Sequence, residues 1–212
     1  MYINPSQLPG LAAYPAVQRM FREHLDMQFE DLRAMLQLPV RGMRSGCNFA
    51  AAATLTNLIG GFSVVLYDDP HPGMPPATAP HHRGDRFVHL LMDHFPHDAA
   101  IEPAQATMVD VIYRFARNSL THALGLRKPG VEPEINIVKR PLTPADIARL
   151  ETSQIRPVGL VGAVVHQRGA RAYDLSVIGL YWGTFRLLDA LIANPRHMNF
   201  AERELQRGTW VP

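Results

Sequence analysis

The sequence has one cysteine and a small net charge and lacks several familiar motifs, and each scarcity removes a class of protein. A lone Cys47 excludes an internal disulfide. The start, MYINPSQLPG, has neither a basic region nor an apolar run; with the lone cysteine this predicts a cytoplasmic location. A formal net charge of +2 is too small to mark a nucleic-acid binder by itself. No His-Glu-x-x-His or Gly-x-Ser-x-Gly pattern occurs, and Gly60-Gly61 lacks the flanks of a phosphate-cradling loop.

What the chain does have is 47% hydrophobic residues in 212, enough for the core of a single domain spanning 1–212. Its cations are 19 Arg against 2 Lys. Arg presents a planar fork suited to phosphate and carboxylate; genome composition gives the same skew. Residues 45–67 carry no charge. Their Asn, Thr, Ser and paired Gly suit contact with lipid poorly, which predicts a helix inside a bundle and no membrane span.

Taken in order, residues 1–14 read as an irregular lead-in. From about 16 to 38, Val17, Met20, Phe21, Leu25, Phe29, Leu32 and Leu36 fall at helical spacing, with Arg22, Glu23, Asp26, Glu30 and Arg33 on a solvated face. The uncharged helix follows at about 47–67, with a kink expected at the glycine pair. A proline-rich loop at about 68–84 holds five prolines and excludes helix or central strand. A short helix is expected at about 85–95, then a longer one from near Pro103 to Gly125. A β-containing segment at about 132–173 holds a strand at 135–139, a short helix capped by Thr143 and Pro144, and a hairpin at 157–173. Asp174 or Ser176 is placed to cap the last long helix, 177–194, which Pro195 ends; 200–207 is a short polar helix candidate. The fold class is therefore mainly α, with a small antiparallel β element inserted before the last long helix.

The most specific chemistry lies at 107–126, TMVDVIYRFARNSLTHALGL. Val109, Ile112, Tyr113, Ala116, Leu120 and Ala123 form an apolar stripe. The polar cluster Arg117-Asn118-Ser119-Leu120-Thr121-His122 is thereby free for other work. Arg117 can bind phosphate oxygens, His122 can move a proton near neutral pH, and Asn118, four residues before His122, can orient its ring. Such a set suits phosphodiester chemistry without a metal. Five residues separate Arg117 from His122, about 140° around a straight helix. The two converge if Arg117 reaches across, if the helix loosens, or if a second chain supplies one of them. The plain alternative is a polar patch in which His122 caps the helix end.

Arg117, Asn118 and His122, with the apolar approach Val111-Ile112-Tyr113-Arg114-Phe115-Ala116, resemble the Arg-polar-x-x-x-His signature of the HEPN superfamily. The resemblance is specific over about 20 residues; the proline loop and β segment depart from a minimal HEPN bundle. It implies a HEPN-like helical bundle that works as a homodimer with facing motifs. Many such proteins are metal-independent endoribonucleases, often of toxin–antitoxin systems with a protein antitoxin as partner. Others are non-catalytic and bind nucleotides, RNA or a protein partner. Both readings stay open here, with no cofactor expected. Catalysis would fall to Arg117, Asn118 and His122. RNA contacts would fall to Arg114, Thr121, Arg127 and Lys128, since no acid lies between 111 and 131.

The segment 71–97 is rich in histidine: His71, His81, His82, His89, His94 and His97, with Asp85, Asp93 and Asp98 nearby. His89 and Asp93 share a helix ridge, as do His94 and His97, so a metal site is conceivable; without a recognised metal motif these histidines read as loop and surface residues, and no metal is assigned. Cys47 reads as a small core residue at a helix start.

Overall fold

The computed structural model describes residues 11–39, 47–71, 83–100, 102–117, 134–155, 161–165 and 171–208. After a 3-10 turn at Leu11–Ala13, helix α1 covers 15–37. It runs as α-helix over Pro15–Met20, as a π-helical turn over Phe21–Leu25, and as α-helix again over Asp26–Gln37. Helix α2 is Asn48–Val65 and α3 is Arg83–His94. Helix α4 covers 105–117, α-helical over Gln105–Asp110 and π-helical over Val111–Arg117. Strand β1 (Glu134–Val138), α5 (Pro144–Thr152), β2 (Val161–Val165) and β3 (Arg171–Ser176) lead into α6 (Val177–Ile192) and α7 (Pro195–Gln206).

Helix α2 is the hub. It packs against α1, α3, α4 and α6, and Ala51, Ala52, Leu55, Leu58, Ile59 and Phe62 are all buried. A helix enclosed on several sides gains nothing from charge on any face, which is why 45–67 has none. It is long and apolar enough to cross a membrane by length and composition, but it lies within the bundle with half of it buried. It runs unbroken through Gly60-Gly61. Cys47 is exposed rather than in the core: it precedes the first helical turn, in the left-handed region at φ 57°.

Helix α1 buries Val17, Phe21, Leu25, Phe29, Leu32 and Leu36 along the expected stripe. One residue of its supposedly solvated face is not solvated. Arg33 turns onto α5, where its Nε donates to Glu151 Oε1 at 2.6 Å. Tyr181 Oη of α6 donates to the same oxygen, so one carboxylate joins three helices. The open end of α1 is closed by Lys139, whose Nζ donates to the carbonyls of Met35 (2.6 Å) and Leu38 (2.9 Å). Its other end is closed by Glu202 of α7, which accepts from the backbone N–H groups of Ala16 and Val17.

The β element is a three-stranded sheet in the order β1-β3-β2. Strands β2 and β3 form the expected antiparallel hairpin, with Val161 opposite Leu175 and Val165 opposite Arg171. The sheet is not wholly antiparallel, because β1 joins β3 in parallel from Glu134↔Ala172 to Val138↔Ser176. The cause is α5: a helix between β1 and the hairpin carries the chain across and permits parallel pairing. Thr143 caps α5 in a reciprocal box with Asp146, and the Ser176 hydroxyl accepts from Gly179 N–H to cap α6. Pro195 does more than end α6. It is the first residue of α7, with Asn194 as its cap, so the final helix begins five residues before the expected 200.

Candidate functional site

Among the described residues, two places bear on the expected chemistry: the last turns of α4 and the junction of α2, α3 and α7. At the first, the buried face of α4 is Met108, Val109, Val111 and Ile112, broader than the expected stripe. A π-helical turn holds an extra residue per turn and so carries neighbours in sequence to the same side. Tyr113 packs its ring on Phe87, at 5.6 Å between centroids, over a spot where a Cβ on Gly84 would collide with its hydroxyl. The glycine thus permits α3 and α4 to approach.

This turn delivers the backbone to Arg117, where the described part of the helix ends. Asn118, Thr121, His122, Arg127 and Lys128 lie outside the described residues. Arg114 is exposed, and its Nε pairs with Asp110 Oδ1 at 2.6 Å on the preceding turn. The acid-free stretch 111–131 therefore has an acid at its border that engages one of its cations.

The second place is built on the end of α2. Arg86, buried on α3, donates through Nε to the Ser63 carbonyl (2.9 Å) and through Nη2 to the Tyr67 carbonyl. It satisfies acceptors that the helix terminus leaves open and fixes the three residues that follow. Tyr67 is fully buried and donates its hydroxyl to Asp93; burial and then that bond push its pKa well up, keeping the phenol protonated. Asp68 accepts from Arg196 Nε at 2.6 Å.

Asp69 turns inward, with its side chain fully buried. Its Oδ1 accepts from His71 N–H at 2.9 Å and lies 2.8 Å from His71 Nδ1. Its Oδ2 lies 2.8 Å from His89 Nδ1. Burial opposes its ionisation, but bonds from the His71 backbone and the two imidazoles outweigh that and hold the carboxyl below its usual range. The two rings stack with centroids 4.0 Å apart and planes at 27°. His71 Nε2 is 4.0 Å from Asp93 Oδ1.

Behind this lies a histidine pair. His197 Nδ1 accepts from Asp68 N–H at 3.2 Å, so its proton sits on Nε2, 3.1 Å from His94 Nε2. Burial lowers the pKa of both; for His197 burial and then His94 bring it to about 4. Both rings are therefore neutral at physiological pH. A cleft of about 460 Å³ borders His94, but its cation, Arg186, is engaged by Asp189 and by the carbonyls of Glu151 and Ser153.

No family model, curated protein or solved structure matches the chain.

His89 and Asp93 lie one turn apart on α3, but each bonds elsewhere, to Asp69 and Tyr67, and helical spacing missed Asp69 and His197. His97 does not pair with His94: its Nε2 faces the Pro103 carbonyl at 2.8 Å. His81 and His82 lie outside the described residues. The available signal for Asp69 was the Asp-x-His step from 69 to 71, which on a turn lets a carboxylate reach the next-but-one residue. His197, 103 positions from His94, left no local signal.

Proposed function

We propose that the chain is a HEPN-like helical protein whose Arg117-Asn118-x-x-x-His122 cluster cleaves RNA without a metal, as half of a site completed by a second copy. What supports this reading is that Arg117 is the last residue of a π-helical turn on α4, a helix whose Met108, Val109, Val111 and Ile112 are buried. Turns of this kind occur often at functional sites, because they displace the helix path that follows. The mainly helical architecture is compatible with the family.

In the proposed reaction, His122 takes the proton of a ribose 2′-hydroxyl. The 2′-oxygen attacks the adjacent phosphorus and the bond to the 5′-oxygen breaks, leaving a 2′,3′-cyclic phosphate. A protonated imidazole or water returns a proton to the 5′-oxygen. Arg117 stabilises the charge that develops on the phosphoryl oxygens, and Asn118 holds the His122 ring. Thr121, Arg127 and Lys128 lie along the sequence to contact the RNA backbone, with Arg114 contributing less because Asp110 engages it. A cytoplasmic location and a protein antitoxin are further parts of the proposal.

The test is RNA cleavage in excess EDTA, with analysis of the product ends. Wild-type protein is expected to leave 2′,3′-cyclic phosphates, and Arg117→Ala and His122→Ala to lose at least about a hundredfold in rate. Undiminished cleavage in those variants would sink the reading. The Arg114–Asp110 pair favours a second reading, a non-catalytic bundle that binds a nucleotide, RNA or a protein partner. Binding without turnover would select it.

A further inference from the structure

We propose that Asp69, His71 and His89 bind a divalent transition-metal ion of the zinc class, with Asp93 facing the outer nitrogen of His71. Each of the three offers one ligand atom, and these atoms lie within 4.8 Å of one another. Ligands about 2.1 Å from a tetrahedral ion stand roughly 3.4 Å apart, so side-chain adjustments suffice to close the cage. Two imidazoles and a carboxylate form a donor set that suits zinc and its first-row neighbours, and three protein ligands leave a position for water.

The surroundings are those of a prepared site. Asp69 is completely buried, and its two oxygens are divided between the two imidazoles. Arg86, the buried cation of this junction, donates Nε to the Ser63 carbonyl and Nη2 to the Tyr67 carbonyl. The Asp69 oxygens bond the two histidine rings and the His71 N–H. The rings are stacked, so their nitrogens lie side by side. On the outer side, Tyr67 holds Asp93 by Oδ2 and leaves Oδ1 facing His71 Nε2 at 4.0 Å. An outer hydrogen bond of this sort orients groups around a bound ion. His71 precedes residues 72–82 and His89 follows them on α3, so the ion would tie together the two sides of that stretch.

The competing arrangement is a plain hydrogen-bonded cluster in which Asp69 accepts from two neutral imidazoles and no ion binds. The two separate in a titration that does not involve RNA, so its outcome is independent of the cleavage reading. Full-length protein made without a histidine tag is stripped with EDTA, exchanged into chelator-free buffer, and titrated with Zn2+ by calorimetry and Co2+ by visible absorption. The expected result is saturable uptake of one ion per chain, a Co2+ spectrum of a low-coordinate nitrogen–oxygen site, and a melting temperature that rises with Zn2+. His71→Ala and His89→Ala should each weaken uptake by at least about tenfold, and Tyr67→Phe by a smaller factor. His24→Ala, at an exposed site on α1, should leave it unchanged. Asp69→Asn, which keeps size and shape, serves if an alanine variant fails to fold. Absence of saturable uptake by wild-type protein, or uptake retained in both histidine variants, would overturn the proposal.

Discussion

Glu151 shows how much a single side chain carries in this protein. It lies on α5, yet its Oε1 is the shared acceptor for Arg33 of α1 and Tyr181 of α6. Burial, and then the Glu151 charge and hydrogen bond, push the Tyr181 pKa well up, so the phenol stays a donor. Removing the carboxylate takes an ion-pair partner from a partly buried guanidinium and the acceptor from a buried hydroxyl. Glu151→Ala is expected to cost about 2–4 kcal/mol in chemical denaturation, and Glu151→Gln less, since the amide oxygen still accepts. His197 sets a pH dependence. Its pKa is about 4 in the folded protein against 6.5 for the free side chain, so between those values the unfolded chain binds more protons. Its contribution is complete above pH 6.5 and is lost as the pH falls toward 4. Protonation also turns Nδ1 from acceptor to donor and breaks its bond from Asp68 N–H. In EDTA, the melting temperature should be several degrees lower at pH 5 than at pH 7.5, and the difference should shrink in His197→Gln. Asp69 acts at lower pH: its depressed pKa contributes stability above 3.8 that is lost as the pH falls through the folded value.

The helices divide into parts that follow from local pattern and parts that do not. The stripe of α1, the uncharged sequence of α2 and the Thr143-Pro144 start of α5 were legible, because burial period and capping chemistry are written in neighbouring residues. The π-helical turns at Phe21–Leu25 and Val111–Arg117 were not, since an extra residue in a turn is favoured by packing partners far away in sequence. The parallel placement of β1 likewise depends on where α5 leaves the chain. Close helix packing supplies a test at this scale. Gly183 of α6 faces the Phe95 ring, where an added Cβ would lie 2.2 Å from Cζ. The ring is buried and has little room to retreat. Gly183→Ala should lower stability by about 1–3 kcal/mol in spite of alanine's better helix propensity, read as a shift of the denaturation midpoint with an unchanged slope.

At the scale of the whole molecule, α2 forms the centre, α7 closes back onto the start of α1 through Glu202, and the β element rests on the ends of α1 and α2. The aspartate–histidine cluster gathers after the end of α2, where α3 meets it, and α4 packs on α3 on its way to Arg117. Arg117, Asn118 and His122 drew the sequence reading because they stand within six consecutive residues. It passed over Asp69 because a loop aspartate gains meaning only when a fold brings His89 to it. The central claim is that Arg117 of one copy works with His122 of another. The most direct measurement is chelator-resistant RNA cleavage by a mixture of inactive Arg117→Ala and His122→Ala chains after subunit exchange. Half of the dimers would then be mixed, each with one intact site of two, so activity should return to about a quarter of the wild-type level if sites are shared between copies. A mixture that stays as inactive as either variant alone, beside active wild-type protein, would contradict the shared site; wild-type protein that cleaves no RNA would contradict the catalytic reading altogether.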